Sequence, residues 1–132
     1  MDPTTGFLVF LALTLVALGA TVLSGLRARL RLHLPCVAAS VVLLGTTIWF
    51  AEQLGEEFDL ESAGAITPIH LSIAKIATLA YLLPLVSGVM TYRDRKHRKL
   101  HFVLALLVLA LTVAAAATGT AMLMLSDRLP PP

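Results

Sequence analysis

Apolar residues fall into four long runs separated by short polar segments. The runs cover residues 7–26, 34–51, 69–91 and 101–125. An α-helix rises about 1.5 Å per residue, so about 20 residues cross roughly 30 Å of hydrocarbon. Backbone groups in lipid need partners within their own segment, which a helix supplies. The pattern predicts an all-α integral membrane protein, an up-and-down four-helix bundle that forms a single transmembrane domain over residues 1–132.

The composition supports this prediction. Hydrophobic residues make up 58% of the 132-residue chain and charged residues 14%, whereas a soluble domain has about 25% charged residues. These values exclude an ordinary soluble globule and a disordered chain. Cys36 is the single cysteine, so the chain has no intramolecular disulfide and no cysteine-based zinc pattern.

The charges are segregated by loop. All but two of the ten Lys and Arg residues lie in the first and third loops, and the second loop carries only acids. The positive-inside rule therefore predicts an N-out/C-out protein of the bacterial inner membrane, with both basic loops in the cytoplasm and the termini and acidic loop outside. Basic loops of this kind contact anionic lipid head groups. They lack the elements that read nucleic acid, so we expect the lipid bilayer as a partner and no nucleic acid.

Two histidines stand at the cytoplasmic ends of spans two and four. Because these spans run in the same direction, His33 and His101 are expected at similar depth in the bundle. Two axial imidazoles are a ligand set of b-type haem, and both histidines are therefore predicted metal ligands. The neighbouring Arg31 and Arg98 suit the haem propionates.

Two further candidates lie on the outer side of span three. His70 is a candidate to cap the helix, bind a quinone or ligate a second haem. Lys75 either faces a partner at membrane depth or snorkels to the outer interface. The outer end of span one carries no histidine to pair with His70, so we expect one haem b and keep quinone as a candidate ligand of His70 and Lys75. Pro84 predicts a kink in span three.

Short motifs at the span ends carry a family resemblance. Arg31-Leu32-His33 opens span two and Pro68-Ile69-His70 opens span three, which contains Pro84; Arg98-Lys99-Leu100-His101 opens span four and Thr118-Gly119-Thr120 lies near its end. In these features the chain resembles small four-helix membrane b-type cytochromes of the cytochrome b561-like plan, and within them a compact family of four-span bacterial membrane proteins. The resemblance implies electron transfer through non-covalent haem b, with His33 and His101 as ligands and His70 as a candidate second site. Relatives often begin span one with His-Pro, where this chain has Asp2-Pro3.

The leading hypothesis is an electron-transfer component that exchanges electrons with a quinone or a redox partner, rather than a stand-alone enzyme. The sequence has no nucleophile–base arrangement, phosphate loop or paired acids at membrane depth that would indicate other catalysis. One alternative is a non-catalytic small subunit that anchors or stabilises a larger membrane redox complex. Another is a haem-free quinone-binding anchor that uses His70 and Lys75. The expected partners are other membrane redox subunits or a second copy of the chain.

Overall fold

The computed structural model describes residues 1–130, and almost all of them are helical. The helices are α1 (Pro3–Leu26), α2 (Leu30–Glu57), α3 (Ile66–Ala80), α4 (Leu82–Arg93) and α5 (Arg98–Leu125). Two short strands, β1 (Phe58–Asp59) and β2 (Asp127–Arg128), pair antiparallel, and 3-10 turns cover Leu60–Ala63 and Arg95–His97. The all-α prediction is confirmed.

Four helical stretches in the described chain are long and apolar enough to cross a membrane. They are Pro3–Leu26, Leu30–Glu57, Ile66–Arg93 and Arg95–Leu125. Large apolar side chains cover their outward surfaces: Val16 is 70% exposed, Val42 67% and Leu79 69%. Apolar surface of this extent is unfavourable in water and favourable against lipid. These features match the predicted multi-pass membrane protein.

Local chemistry explains where the helices extend beyond the apolar runs. At the start of α1, the Thr5 N–H donates to the Asp2 carboxylate at 3.0 Å, and proline fills the first helical position, where a missing N–H costs nothing. At its C-terminus, α2 continues through Glu56 and Glu57, since glutamate is a good helix former. The helices therefore begin and end in the flanking polar segments.

The third span is interrupted near its middle. A turn at Tyr81 separates α3 from α4, and the Tyr81 N–H donates to the Thr78 carbonyl at 3.3 Å, which is a tighter 3-10 bond. Pro84 follows three residues later and has no N–H to offer the Ala80 carbonyl. The helix is thus interrupted one turn before the proline at which the sequence predicts a kink.

The described chain divides into two compact units. The first comprises Met1–Ser62 together with the segment that starts at Ser126, and the second comprises Ala63–Leu125. The prediction that all four spans form a single domain stays a prediction.

The first unit is an antiparallel pair of α1 and α2 joined by a three-residue turn. The Arg29 N–H donates to the Ser24 carbonyl at 3.0 Å and the Ala28 N–H to the Gly25 carbonyl at 3.1 Å, which is a Schellman motif. Ala28 has a φ of 53°, in the left-handed region that glycine normally fills at this position. The turn leads directly into the first turn of α2.

Hydroxyl groups join α1 and α2 along their length. Thr14 Oγ1 lies 3.0 Å from Thr47 Oγ1, and Thr21 Oγ1 lies 3.1 Å from Ser40 Oγ. Thr14 is fully buried, and Ser40 and Thr47 are also buried. Close packing and interhelical hydrogen bonds drive helix association in lipid, where the hydrophobic effect between helices is weak. At the end of the pair, Arg128 on β2 forms an ion pair with Glu57 at 3.1 Å.

The second unit packs α3 and α4 antiparallel to α5. The Tyr81 hydroxyl lies 2.9 Å from Thr112 Oγ1, at the break between α3 and α4. The buried positions of this unit are mostly small residues or hydroxyl-bearing ones, which allow the helices to approach closely. They are Ala77, Ser87, Val108, Thr112, Gly119 and Met122.

Replacing Ala28 with glycine should stabilise the first unit. The left-handed conformation costs an L-residue roughly 1–2 kcal/mol and costs glycine little. We expect Ala28→Gly to raise the free energy of unfolding by about 1 kcal/mol, measured by denaturant titration of the purified chain in detergent micelles.

A second alanine-to-glycine change serves as the control for this prediction. Ala38 lies on the exposed face of α2, where glycine is less favourable than alanine by about 1 kcal/mol. Ala38→Gly should therefore lower the stability. Two losses of equal size would show that Ala28 is not held in the left-handed conformation.

Candidate functional site

His33 is held by the last turn of α1. It is the fourth residue of α2, and its Nδ1 lies 2.9 Å from the Thr21 carbonyl oxygen and 3.2 Å from Ser24 Oγ. A carbonyl oxygen only accepts hydrogen bonds, so Nδ1 carries the proton and donates it to Thr21. The neutral ring then has its lone pair at Nε2.

A glycine makes room for this ring. A Cβ placed on Gly25 would lie 3.2 Å from His33 Cε1 and 3.3 Å from Nδ1, which is tighter than ordinary van der Waals contact. The Schellman turn, Ser24 and Gly25 together bring the start of α2 against the end of α1. The imidazole is therefore fixed by a hydroxyl, a carbonyl and a close backbone approach.

His101 likewise packs on a serine and a glycine, in the second unit. It is the fourth residue of α5, and its Nδ1 lies 3.1 Å from Ser87 Oγ on α4. Gly88 follows Ser87, and a Cβ placed there would lie 3.3 Å from His101 Cε1. The two predicted ligands thus occupy equivalent positions, each in its own helix pair.

His70 repeats the arrangement at the other end of the second unit. Its Nδ1 lies 3.1 Å from Thr118 Oγ1 on α5. A Cβ on Gly119 would lie 2.7 Å from His70 Cε1. His70 is half-buried in this contact and does not cap α3.

Each of these three histidines therefore packs on a dipeptide of Ser or Thr followed by Gly, which we call a hydroxyl–glycine step. The steps are Ser24-Gly25, Ser87-Gly88 and Thr118-Gly119. The sequence pattern had singled out Thr118-Gly119-Thr120 but had not connected any of these dipeptides with a histidine. The signal in the sequence was the recurrence of the dipeptide within helices, opposite a histidine near the start of another helix.

The remaining candidates are distributed over the surface. Arg31 and Arg98 are both exposed, close in sequence to His33 and His101. Lys75 is exposed on α3, and a separation of five residues places it about 140° around the helix from His70. His70 and Lys75 therefore do not converge on one site within α3.

His97 lies in the basic loop and lacks a hydroxyl–glycine step. In that loop the Asp94 carboxylate accepts from the Lys96 backbone N–H at 3.0 Å and forms an ion pair with Lys96 Nζ at 2.8 Å. The side-chain and backbone hydrogen bonds from Lys96 lower the pKa of the Asp94 carboxyl below its usual value. His97 lies among these exposed charges, in surroundings unlike those of the other three histidines.

Within residues 1–130, no group of three or more His, Cys, Asp or Glu side chains is arranged to hold a metal ion. A haem needs only two axial protein ligands. His33 and His101 belong to different units, and the prediction that they form a ligand pair stays a prediction.

No family model, curated protein or solved structure matches this chain.

Replacing Gly119 with alanine should displace the His70 ring and destabilise the second unit. The added methyl would overlap the ring edge at 2.7 Å, and overpacking of this kind costs about 1–3 kcal/mol. We expect this loss in a denaturant titration in micelles.

Gly45 on α2 provides the matched control, because a Cβ placed there meets nothing within 4 Å. Gly45→Ala should be neutral or stabilising, since alanine is the better helix former. Equal stability of Gly119→Ala and the unchanged chain would contradict the close packing of His70.

Proposed function

We propose that this chain is a membrane-embedded b-type cytochrome, in which His33 and His101 are the axial ligands of one haem b. The observation that carries the proposal is the equivalence of the two imidazoles. Each is the fourth residue of its helix, and each has Nδ1 held by a serine hydroxyl beside a glycine. No other pair of histidines in the described chain combines the same helix position with a serine–glycine step.

The donor chemistry of these residues fits a haem. Histidines that bind metals usually donate their second ring N–H to a neighbouring oxygen, which fixes the tautomer and the ring plane. The Thr21 carbonyl does this for His33, so that Nε2 is the nitrogen suited to ligation. Gly25 and Gly88 leave the space that a Cβ would fill beside each ring.

The side chains have distinct roles in this proposal. His33 and His101 would hold the iron, and Ser24 and Ser87 would hold the planes of the two rings. Arg31 and Arg98 lie at the same helix ends and are exposed, so that their guanidinium groups suit carboxylates such as the haem propionates. Bound haem b supplies reversible one-electron chemistry. The apolar helices around the ligands lower the local dielectric constant, which tunes the potential of such a group.

We further propose that the protein lies in the bacterial inner membrane with its basic loops in the cytoplasm. The Arg27–Arg31 segment and the Arg93–Lys99 segment carry the positive charge, and the acidic residues around Glu57 belong to the opposite side. The bilayer is then one partner. Other membrane redox subunits or a second copy of the chain exchange electrons with it, and a quinone is the proposed small-molecule carrier.

The decisive experiment is the reduced-minus-oxidised visible spectrum of the purified chain, with a pyridine haemochrome assay for haem content. We expect the spectrum of a low-spin, bis-imidazole haem b at one haem per chain. His33→Ala and His101→Ala should each abolish it, because one axial ligand is lost. His97→Ala is the control and should leave the spectrum unchanged.

The outcomes separate the alternatives. A colourless protein that binds no haem would overturn the cytochrome, and its co-purification with a redox complex would then support a non-catalytic anchoring subunit. Impaired quinone binding in both His70→Ala and Lys75→Ala, in a chain without haem, would support the quinone-binding anchor. A haem that persists in His33→Ala would exclude His33 as a ligand.

A further inference from the structure

The hydroxyl of each hydroxyl–glycine step has a single hydrogen, and a carbonyl of its own helix accepts that hydrogen. Ser24 Oγ donates to the Thr21 carbonyl at 2.9 Å, and Ser87 Oγ to the Leu83 carbonyl at 2.8 Å. Thr118 Oγ1 donates to the Ala114 carbonyl at 2.8 Å. Serine and threonine in helices commonly bond back in this way.

It follows that each hydroxyl faces its imidazole with lone pairs only. The ring nitrogen within 3.1–3.2 Å of the hydroxyl is Nδ1 in all three cases. A hydroxyl in this arrangement accepts from the ring, and Nδ1 is then the nitrogen that carries the proton. The backbone supports this assignment independently at His33, where the Thr21 carbonyl oxygen lies 2.9 Å from Nδ1 and accepts from it.

We propose that Ser24, Ser87 and Thr118 are positioning residues that lock His33, His101 and His70 in the Nδ1–H tautomer, so that each ring presents the Nε2 lone pair. Nε2 is then the nitrogen that binds a metal ion or accepts a hydrogen bond from a ligand hydroxyl. The glycine of each step allows the ring to approach closely enough for the hydroxyl to act. Nothing in this inference requires haem.

The test is heteronuclear NMR of the full chain in detergent micelles, with the histidine rings labelled with nitrogen-15. The shifts of the two ring nitrogens distinguish the Nδ1–H from the Nε2–H tautomer. We expect His70 to show a protonated Nδ1 and an unprotonated Nε2. His97 should show the tautomer mixture and rapid proton exchange of a loop histidine.

Substitutions at Thr118 distinguish an effect of its hydroxyl on the His70 ring proton from an effect of its side-chain volume on helix packing. Thr118→Val keeps the shape and removes the hydroxyl, so the ratio of Nδ1–H to Nε2–H at His70 should fall by about tenfold. Thr118→Ser retains the hydroxyl and should preserve the ratio, as serine does at His33 and His101. Thr120→Val is the matched control, because Thr120 bonds back to the Ala116 carbonyl on the same helix without contacting an imidazole.

The proposal is overturned if His70 is Nε2–H in the unchanged chain, or if Thr118→Val leaves its tautomer unchanged. If Thr118→Val fails to fold, the His70 tautomer in the unchanged chain and in Thr118→Ser still tests the proposal. The measurement at His70 is also independent of the proposed function: loss of the haem assignment would leave the His70 result standing, and a mixed tautomer at His70 would leave the haem spectrum untouched.

Discussion

Every polar side chain on an inward face of these apolar helices needs a partner that lipid does not supply. Within the described chain, no buried side-chain nitrogen or oxygen lacks a hydrogen bond. Threonine and serine meet this requirement by bonding back to their own helix, as Thr14 does to the Phe10 carbonyl at 2.7 Å. The same hydroxyl group also hydrogen-bonds a side chain of the neighbouring helix, as Thr14 does with Thr47. This use of the hydroxyl both joins the helices and holds the imidazoles.

Both units use a serine hydroxyl to hold an imidazole, at corresponding positions in the sequence. Ser24 and Ser87 each precede a glycine, a basic turn and then a histidine that begins the next helix. The separation between His33 and Ser40 equals that between His101 and Val108. The separation between His33 and Leu54 likewise equals that between His101 and Met122. Ser40, Val108, Leu54 and Met122 are all buried. In both units, the same spacing therefore separates the histidine from these two buried positions of the helix that it begins.

The sequence predicted the helices well because their signal is distributed over many residues. About 20 apolar positions define each span, and no single substitution removes the pattern. An interruption of span three was also predictable, since Pro84 has no N–H to donate to the backbone carbonyl one turn earlier. The position of the break was not predictable, because the Tyr81 hydroxyl bonds Thr112 on α5. This contact is tertiary and does not show in the local sequence.

The candidate site was less predictable, and the reason is physical. His33, His70 and His101 were identifiable because histidine is rare in apolar segments, but their partners are ordinary serines, threonines and glycines. Which hydroxyl faces which ring depends on the register of two helices. That register in turn depends on contacts such as Thr21 with Ser40. The exposure of Lys75 likewise depends on which face of α3 packs against α5, which a uniformly apolar span does not reveal.

A fourth hydroxyl–glycine step, Thr5-Gly6 on α1, shows that the hydroxyl-bearing residue and the glycine have different roles. Its glycine lies against the ring of Phe50 on α2, in the same close approach that the other glycines make to histidine. A phenylalanine ring has no nitrogen to receive or donate a proton, and here the Thr5 hydroxyl instead donates to the Asp2 carboxylate at 3.1 Å. The close approach therefore persists without an imidazole, and the hydroxyl finds its hydrogen-bond partner elsewhere. This contrast is the expected one if glycine provides space and the hydroxyl positions the ring proton.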